Sequence, residues 1–241
     1  MQTIHGRNSL ENMKLQHSLL TLLASSILFL GACESNKKSE EKEEQSTTQK
    51  STADTKEKKP AIIFFGNSLT AGYGVDPKDA FAGRIAQRID SLDYNYEVIN
   101  AGVSGETTAS GLSRVEWVIK RANLSIFVLE LGGNDGLRGI NPEETEKNLK
   151  AIINKVRELH PEAKIILSGM MVPPNMGDSY ANEFKAIYPK IAAEKNVVMI
   201  PFLLKDVGGV ASLNLPDGIH PTEEGHKIVT ETVWTYLKPL L

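Results

Sequence analysis

Only one cysteine, Cys33, occurs in the 241 residues, so no disulfide forms within the chain. An excess of charge of one sign is missing too, with 27 Lys and Arg against 30 Asp and Glu. The basic residues are scattered among acids, which excludes the basic patch of a general nucleic-acid binder. The chain also lacks a bilayer-spanning run, which takes roughly 20 apolar residues; the stretch from Ser18 to Ala32 is shorter. No Gly-x-Gly-x-x-Gly follows the first strand-like run, so a dinucleotide is not expected. Neither a phosphate loop nor a clustered ligand set is present, so no cofactor and no metal are expected. Aromatic residues make up 6%, which argues against a platform for stacking sugars.

What is present begins at the N-terminus. Lys14, the apolar stretch Ser18 to Ala32, and small residues before Cys33 describe a secretory signal. Residues Met1 to Asn12 fit no part of one, so Met13 is the expected natural start. The ending Leu30-Gly31-Ala32-Cys33 resembles a bacterial lipobox. That resemblance implies lipidation of Cys33 and an anchored protein of the bacterial cell envelope, facing the periplasm or the outside.

From Glu34 to Pro60 the composition changes to Ser, Thr, Lys and Glu, with no aromatic or large aliphatic side chain. Such a segment buries too little apolar surface to offset its ordering entropy and is expected to be disordered. As a flexible coil it would span on the order of 30 Å. The expected organisation is therefore a leader over 1–33, a charged linker over 34–60 and one domain over 61–241.

Within that domain, short apolar runs alternate with longer amphipathic ones. The runs predict strands at Ala61–Phe65, Glu97–Asn100, Ser125–Leu131, Lys164–Ser168 and Val197–Ile200. Helices are expected at Ala80–Leu92, Thr108–Arg121, Glu143–His160, Asn182–Lys195 and Thr222–Leu237. Asn141-Pro142-Glu143-Glu144 is a strong helix start, with an Asn cap, Pro in the first turn and acids against the dipole. Unbroken Ile, Val and Phe strands imply a parallel sheet covered on both faces. The fold class is α/β: a three-layer α/β/α sandwich of five parallel strands in the flavodoxin-like order 2-1-3-4-5. Ligands of such sheets bind outside the carboxyl ends of the strands.

Four segments would meet at that edge. Gly66-Asn67-Ser68-Leu69-Thr70 follows the first strand, and a serine there needs a positioned base to become a nucleophile. The Gly-x-Ser-x-Gly elbow of α/β-hydrolases is absent. Asp217-Gly218-Ile219-His220-Pro221 places a carboxylate three residues before an imidazole, close enough to hold Nδ1 and leave Nε2 for the serine. Gly102 offers an unobstructed backbone N–H and Asn134 a side-chain amide, both suited to a developing oxyanion. Each residue alone has an ordinary turn or cap explanation; together they describe acyl transfer. Of the other histidines, His5 and His17 lie in the leader, His160 ends a helix, and His226 falls inside the last helix as a structural or exposed residue.

These blocks, with Asn100-Ala101-Gly102-Val103-Ser104-Gly105-Glu106-Thr107-Thr108 and Phe184-x-x-Ile187-Tyr188-Pro189, resemble the GDSL/SGNH hydrolase superfamily. The likeness covers residues 61–241 and is nearest the thioesterase/lysophospholipase and arylesterase branch. It implies Ser68 as nucleophile, His220 as base and Asp217 as its partner. The oxyanion hole would comprise the N–H groups of Ser68 and Gly102 and the Asn134 amide. One departure is Asn67, where the family usually has Asp; altered local hydrogen bonding rather than inactivity is expected.

The expected function is a serine esterase acting on small carboxylic esters or thioesters, working as a monomer and held at a membrane by its lipid. Val75, Met170, Met171, Val172, Leu203, Leu204, Leu213 and Leu215 are expected to border an apolar acyl pocket. A carbohydrate O-acetylesterase and a non-catalytic envelope lipoprotein are the alternatives.

Overall fold

The computed structural model describes residues 58–241; the leader, Cys33 and nearly all of the expected linker lie outside them. Five strands form one sheet: β1 (Ala61–Gly66), β2 (Glu97–Gly102), β3 (Leu124–Glu130), β4 (Lys164–Ser168) and β5 (Val198–Ile200). Every pairing is parallel and the order is β2-β1-β3-β4-β5, as the sequence pattern predicts. β1 is buried at all its positions, because it lies inside the sheet with helices over both faces. Phe65 and Phe127 pack side by side there, their ring centroids 5.4 Å apart. Burying one such ring contributes about 1.5–3 kcal/mol.

The longer helices are α2 (Phe81–Ser91), α3 (Thr108–Ile119), α5 (Pro142–Leu159), α6 (Asp178–Lys195) and α7 (Glu223–Leu237). α2 packs on α7, while α3, α5 and α6 pack in sequence on one another. With right-handed crossovers, these two sets cover opposite faces. Two short helices, α1 (Ser68–Ala71) and α4 (Gly133–Leu137), are too brief for any apolar period to reveal. α6 begins four residues earlier than expected and runs through Pro189. Its first turn gains its hold from tertiary contact: Tyr180 donates to Ile140 O at 2.7 Å and stacks on Phe184.

The strand order reverses beside β1, since β2 lies on one side of it and β3 to β5 on the other. The crevice produced by that reversal opens at the carboxyl ends, where Gly66, Gly102 and Glu130 sit in register or one strand apart.

Candidate active site

Asn67 caps α1, its Oδ1 accepting the Leu69 N–H at 2.9 Å. The cap starts the helix at Ser68 directly after β1, so the hydroxyl emerges at the sheet edge. As the first helical residue, Ser68 has no intrahelical acceptor for its own N–H. Gly66 has to be glycine, since a Cβ there would collide with Thr70 Oγ1 and a Glu130 carboxylate oxygen.

The opposing loop is tied at both ends. Asn214 bridges Pro221, and the Leu215 N–H donates to His220 O at 2.7 Å. Inside this loop Asp217 Oδ1 accepts the N–H groups of Ile219 and His220, each at 3.0 Å. Its Oδ2 lies 2.7 Å from His220 Nδ1, and His220 Nε2 lies 2.8 Å from Ser68 Oγ. A proton on Nδ1 facing the carboxylate leaves Nε2 as acceptor for the serine hydroxyl. Slight burial pushes the Asp217 carboxyl up, but the Ile219 N–H and the His220 imidazole and N–H outweigh it and hold it below the usual range. Ser68, His220 and Asp217 thus form one hydrogen-bonded line. Tyr73, which no sequence signal singles out, packs on the imidazole with ring centroids 4.6 Å apart.

α4 sets the third side. Its buried Asp135 accepts the N–H and hydroxyl of Thr108 at 2.9 and 2.5 Å, which locks α4 to the start of α3. The neighbouring Asn134 donates one amide hydrogen to Glu106 O at 3.0 Å. That bond fixes the amide orientation and leaves a second hydrogen for the cleft. Glu106 is itself held by Arg114, whose guanidinium lies over the Phe65 ring. Gly102 sits against Ala71, where a Cβ would collide with backbone. Its N–H already donates to Asn100 Oδ1 at 3.0 Å, so an oxyanion there would have to share it.

The cleft beside Ser68 holds about 410 Å³ and is mainly apolar, with Leu137, Met170, Met171, Val172, Phe202 and Leu204 among its walls. Four of the eight apolar residues expected at the pocket, Met170, Met171, Val172 and Leu204, line it. Val75, Leu203, Leu213 and Leu215 do not. Leu203 turns fully into the core, Leu213 packs against that core, and Leu215 lies against Gly74. Sequence position could not separate these, because a loop of alternating direction sends neighbouring apolar residues to opposite sides.

His160 Nε2 donates to Ile119 O at 3.0 Å, so it faces the end of α3 as well as closing α5. His226 is buried and structural: its Nδ1 accepts the Phe81 N–H at 3.2 Å, supplying the cap that Ala80 cannot give α2. Besides Tyr73, sequence reasoning missed Glu130, buried at the end of β3 and bonded to the turn that carries Ser68. The available signal was a lone acid closing an otherwise apolar strand. Among the described residues no group of three or more His, Cys, Asp and Glu could hold a metal, and no helix is long and apolar enough to cross a membrane.

Residues 64–228 match the GDSL-like Lipase/Acylhydrolase family. The chain is 37% identical over 180 residues to the esterase TesA of Pseudomonas aeruginosa, covering 75% of this chain and 89% of that protein. It is 33% identical over 180 residues to the thioesterase 1/protease 1/lysophospholipase L1 of Escherichia coli K12, covering 75% and 84%. Against an arylesterase of Vibrio mimicus the identity is 31%, with 71% and 85% covered. The crystal structure of TesA superposes with a TM-score of 0.72 at 37% identity, over 75% of this chain and 99% of that one. The psychrotrophic esterase EstA from Pseudoalteromonas sp. gives 0.70 at 26%, over 74% and 97%. Sequence blocks, strand order and relatives aligned over most of their own length agree, and the chain belongs to the GDSL-like lipase/acylhydrolase family.

Proposed function

We infer that this chain is a serine esterase that hydrolyses carboxylic esters or thioesters through an acyl-enzyme. Ser68 Oγ attacks the carbonyl carbon as His220 Nε2 takes its proton. The tetrahedral oxyanion is received by the Ser68 N–H, the free hydrogen of the Asn134 amide and the Gly102 N–H, the last shared with Asn100. Collapse expels the alcohol or thiol, which takes the proton back from His220. Water then enters, loses a proton to the same imidazole and attacks the acyl carbon; the bond to Ser68 Oγ breaks, the acid leaves and Oγ recovers its proton from His220. Asp217 keeps the imidazole in the tautomer this requires and steadies its cation.

The observation that carries this reading is the line Ser68 Oγ, His220 Nε2, His220 Nδ1, Asp217 Oδ2, with gaps of 2.8 and 2.7 Å. The apolar cleft favours a hydrocarbon acyl group. The names of the similar proteins (esterase, thioesterase/lysophospholipase, arylesterase) agree with it.

On the sequence alone, the reading extends to an envelope protein anchored through lipid on Cys33, with residues 34–60 as tether. Feeding a clickable fatty acid tests that part: the wild type should be labelled and Cys33→Ser should not. For the chemistry, the full-length protein would be treated with a fluorophosphonate probe. One label per chain, lost in Ser68→Ala together with hydrolysis of aryl esters and acyl thioesters, is the expected result. Equal labelling of the two proteins would remove Ser68 from its role.

A further inference from the structure

Glu130 closes β3 opposite Gly66, the last residue of β1, and is 1% exposed. Both of its oxygens point into the turn that carries Ser68. Oε1 accepts the Asn67 side-chain amide at 2.8 Å, and Oε2 accepts the Asn67 N–H at 3.1 Å and the Thr70 hydroxyl at 2.8 Å. The other end of the Asn67 side chain faces the opposite way. Its Oδ1 caps α1 through the Leu69 N–H and lies 3.4 Å from Ser68 Oγ. Asn67 therefore links a buried carboxylate to the cap of the helix that begins at Ser68, with a donor at one end and an acceptor at the other.

All three contacts made to Glu130 are donations. That set suits a carboxylate, which only accepts; in the acid form its one O–H could go only to the Thr70 oxygen, since both Asn67 groups are donors alone. An aspartate at 67 would have nearly the same shape but no donor. It would set two carboxyl groups at hydrogen-bond distance, a pair that holds together only by sharing a proton. Asparagine removes that need.

We propose that Asn67 and Glu130 are a matched donor–acceptor pair of positioning residues that holds the Ser68 turn, with the Asn67 amide supplying the hydrogen bond that an acid at this position could give only by carrying a proton. The pair acts through the backbone and cap of α1 and touches no substrate. It rests on the reading of Ser68 as nucleophile.

Few other ionisable groups surround Glu130. Arg114 of α3 is tied to Glu106 and the Ala101 carbonyl, and the same Nη2 reaches Gly66 O only at 3.5 Å. Asp135 of α4 is occupied by Thr108. Tyr188 of α6 donates to Leu131 O, its phenol raised by burial and then by the charges of Asp135 and Glu130. His220 on the opposing loop is engaged by Asp217 and Ser68. Burial pushes the Glu130 carboxyl up to about 7, against the pull of the Thr70 and Asn67 donors.

The test is a cycle of Asn67→Asp, Glu130→Gln and the double variant, made in the full-length chain. Each is assayed on one short-chain aryl ester from pH 5 to 9, with kcat and KM separated and a thermal melt recorded. Glu130→Gln sets an amide against donors and should lower kcat on the order of a hundredfold, through misplacement of the serine, with KM little changed. Asn67→Asp should work at the acid end, where one proton joins the two carboxyls, and lose at least about tenfold in kcat at the alkaline end, where both are charged. In the double variant the Gln amide donates to the new carboxylate, so most of the alkaline loss should return. Wild-type kcat in Glu130→Gln at every pH would overturn the pairing, as would a double variant whose loss is the product of the single losses. If Glu130→Gln does not fold, Asn67→Asp decides alone: a pH profile superimposable on the wild type's would overturn it. Ser68→Ala in the same panel separates the two ideas, because full activity there would defeat the nucleophile reading whatever the cycle shows.

Discussion

His220 Nε2 lies 2.8 Å from Ser68 Oγ although 152 positions separate the two residues in sequence. The serine is held by a capped turn after the first strand and the histidine by a loop closed at Asn214 and Pro221. Neither depends on the other to reach its place, so removing one side chain should leave the other where it is. Truncations at this site should therefore report on chemistry more than on folding.

His220→Ala removes the proposed base and should cut kcat by on the order of 10⁶, the scale seen when a triad histidine is lost. Asp217→Ala should cost less, on the order of 10⁴ at most, since the carboxylate only orients the ring and steadies its cation. Matched thermal melts and kcat on an aryl ester give the comparison. Near-full activity in His220→Ala would end the triad assignment.

Asn134→Ala should lower kcat by about 10²–10³ with little change in KM. The amide hydrogen not taken by Glu106 O acts where charge appears in the transition state, so its loss shows in kcat and not in ground-state binding. A rise in KM with kcat unchanged would place Asn134 in substrate binding instead.

Tyr73 covers one side of the His220 ring. When His220 takes a proton, the negative face of an aromatic ring nearby stabilises the imidazolium. An aromatic pair of this kind contributes about 0.5–1.5 kcal/mol, so Tyr73→Leu should reduce kcat several-fold while Tyr73→Phe keeps it. Equal activity of Tyr73→Leu and the wild type would show the contact to be incidental.

His226 gives a pH dependence of stability. Burial, followed by the charges of Arg84 and His220, holds its imidazole down at about 4. The unfolded chain binds that proton near 6.5, so its contribution is complete above about 6.5 and is lost as pH falls towards 4, about 3 kcal/mol in all. Glu130 works in the other direction: its raised carboxyl, about 7 when folded, withdraws stability as pH rises from about 4.5 to 7. The two slopes partly cancel in the wild type. His226→Asn keeps an acceptor for the Phe81 N–H and removes one slope, so urea melts at pH 4.5 and 6.5 should show less loss on acidification than in the wild type. Parallel curves would show that the imidazole does not titrate in this window.

The fold was legible because β1 and the centre of β3, Ile126 to Leu129, are unbroken apolar runs, which a sheet covered on both faces tolerates. That Ser68 and Asn134 share one edge was legible because each comes just after the carboxyl end of a strand, and Asp217 and His220 stood out as an acid three residues before a histidine in the loop ahead of the last helix. Local chemistry also determined the cap at Asn141 before α5. Tertiary structure decided what depends on direction and distance. Leu203 and Leu204 are neighbours in sequence, yet only Leu204 reaches the cleft. The Gly102 N–H proved to be shared with Asn100. Glu130 became a partner of Asn67 because β1 and β3 lie side by side in register. Hydrophobic periodicity records which face of an element is buried, but it carries no term for which polar groups meet once strands distant in sequence are brought together.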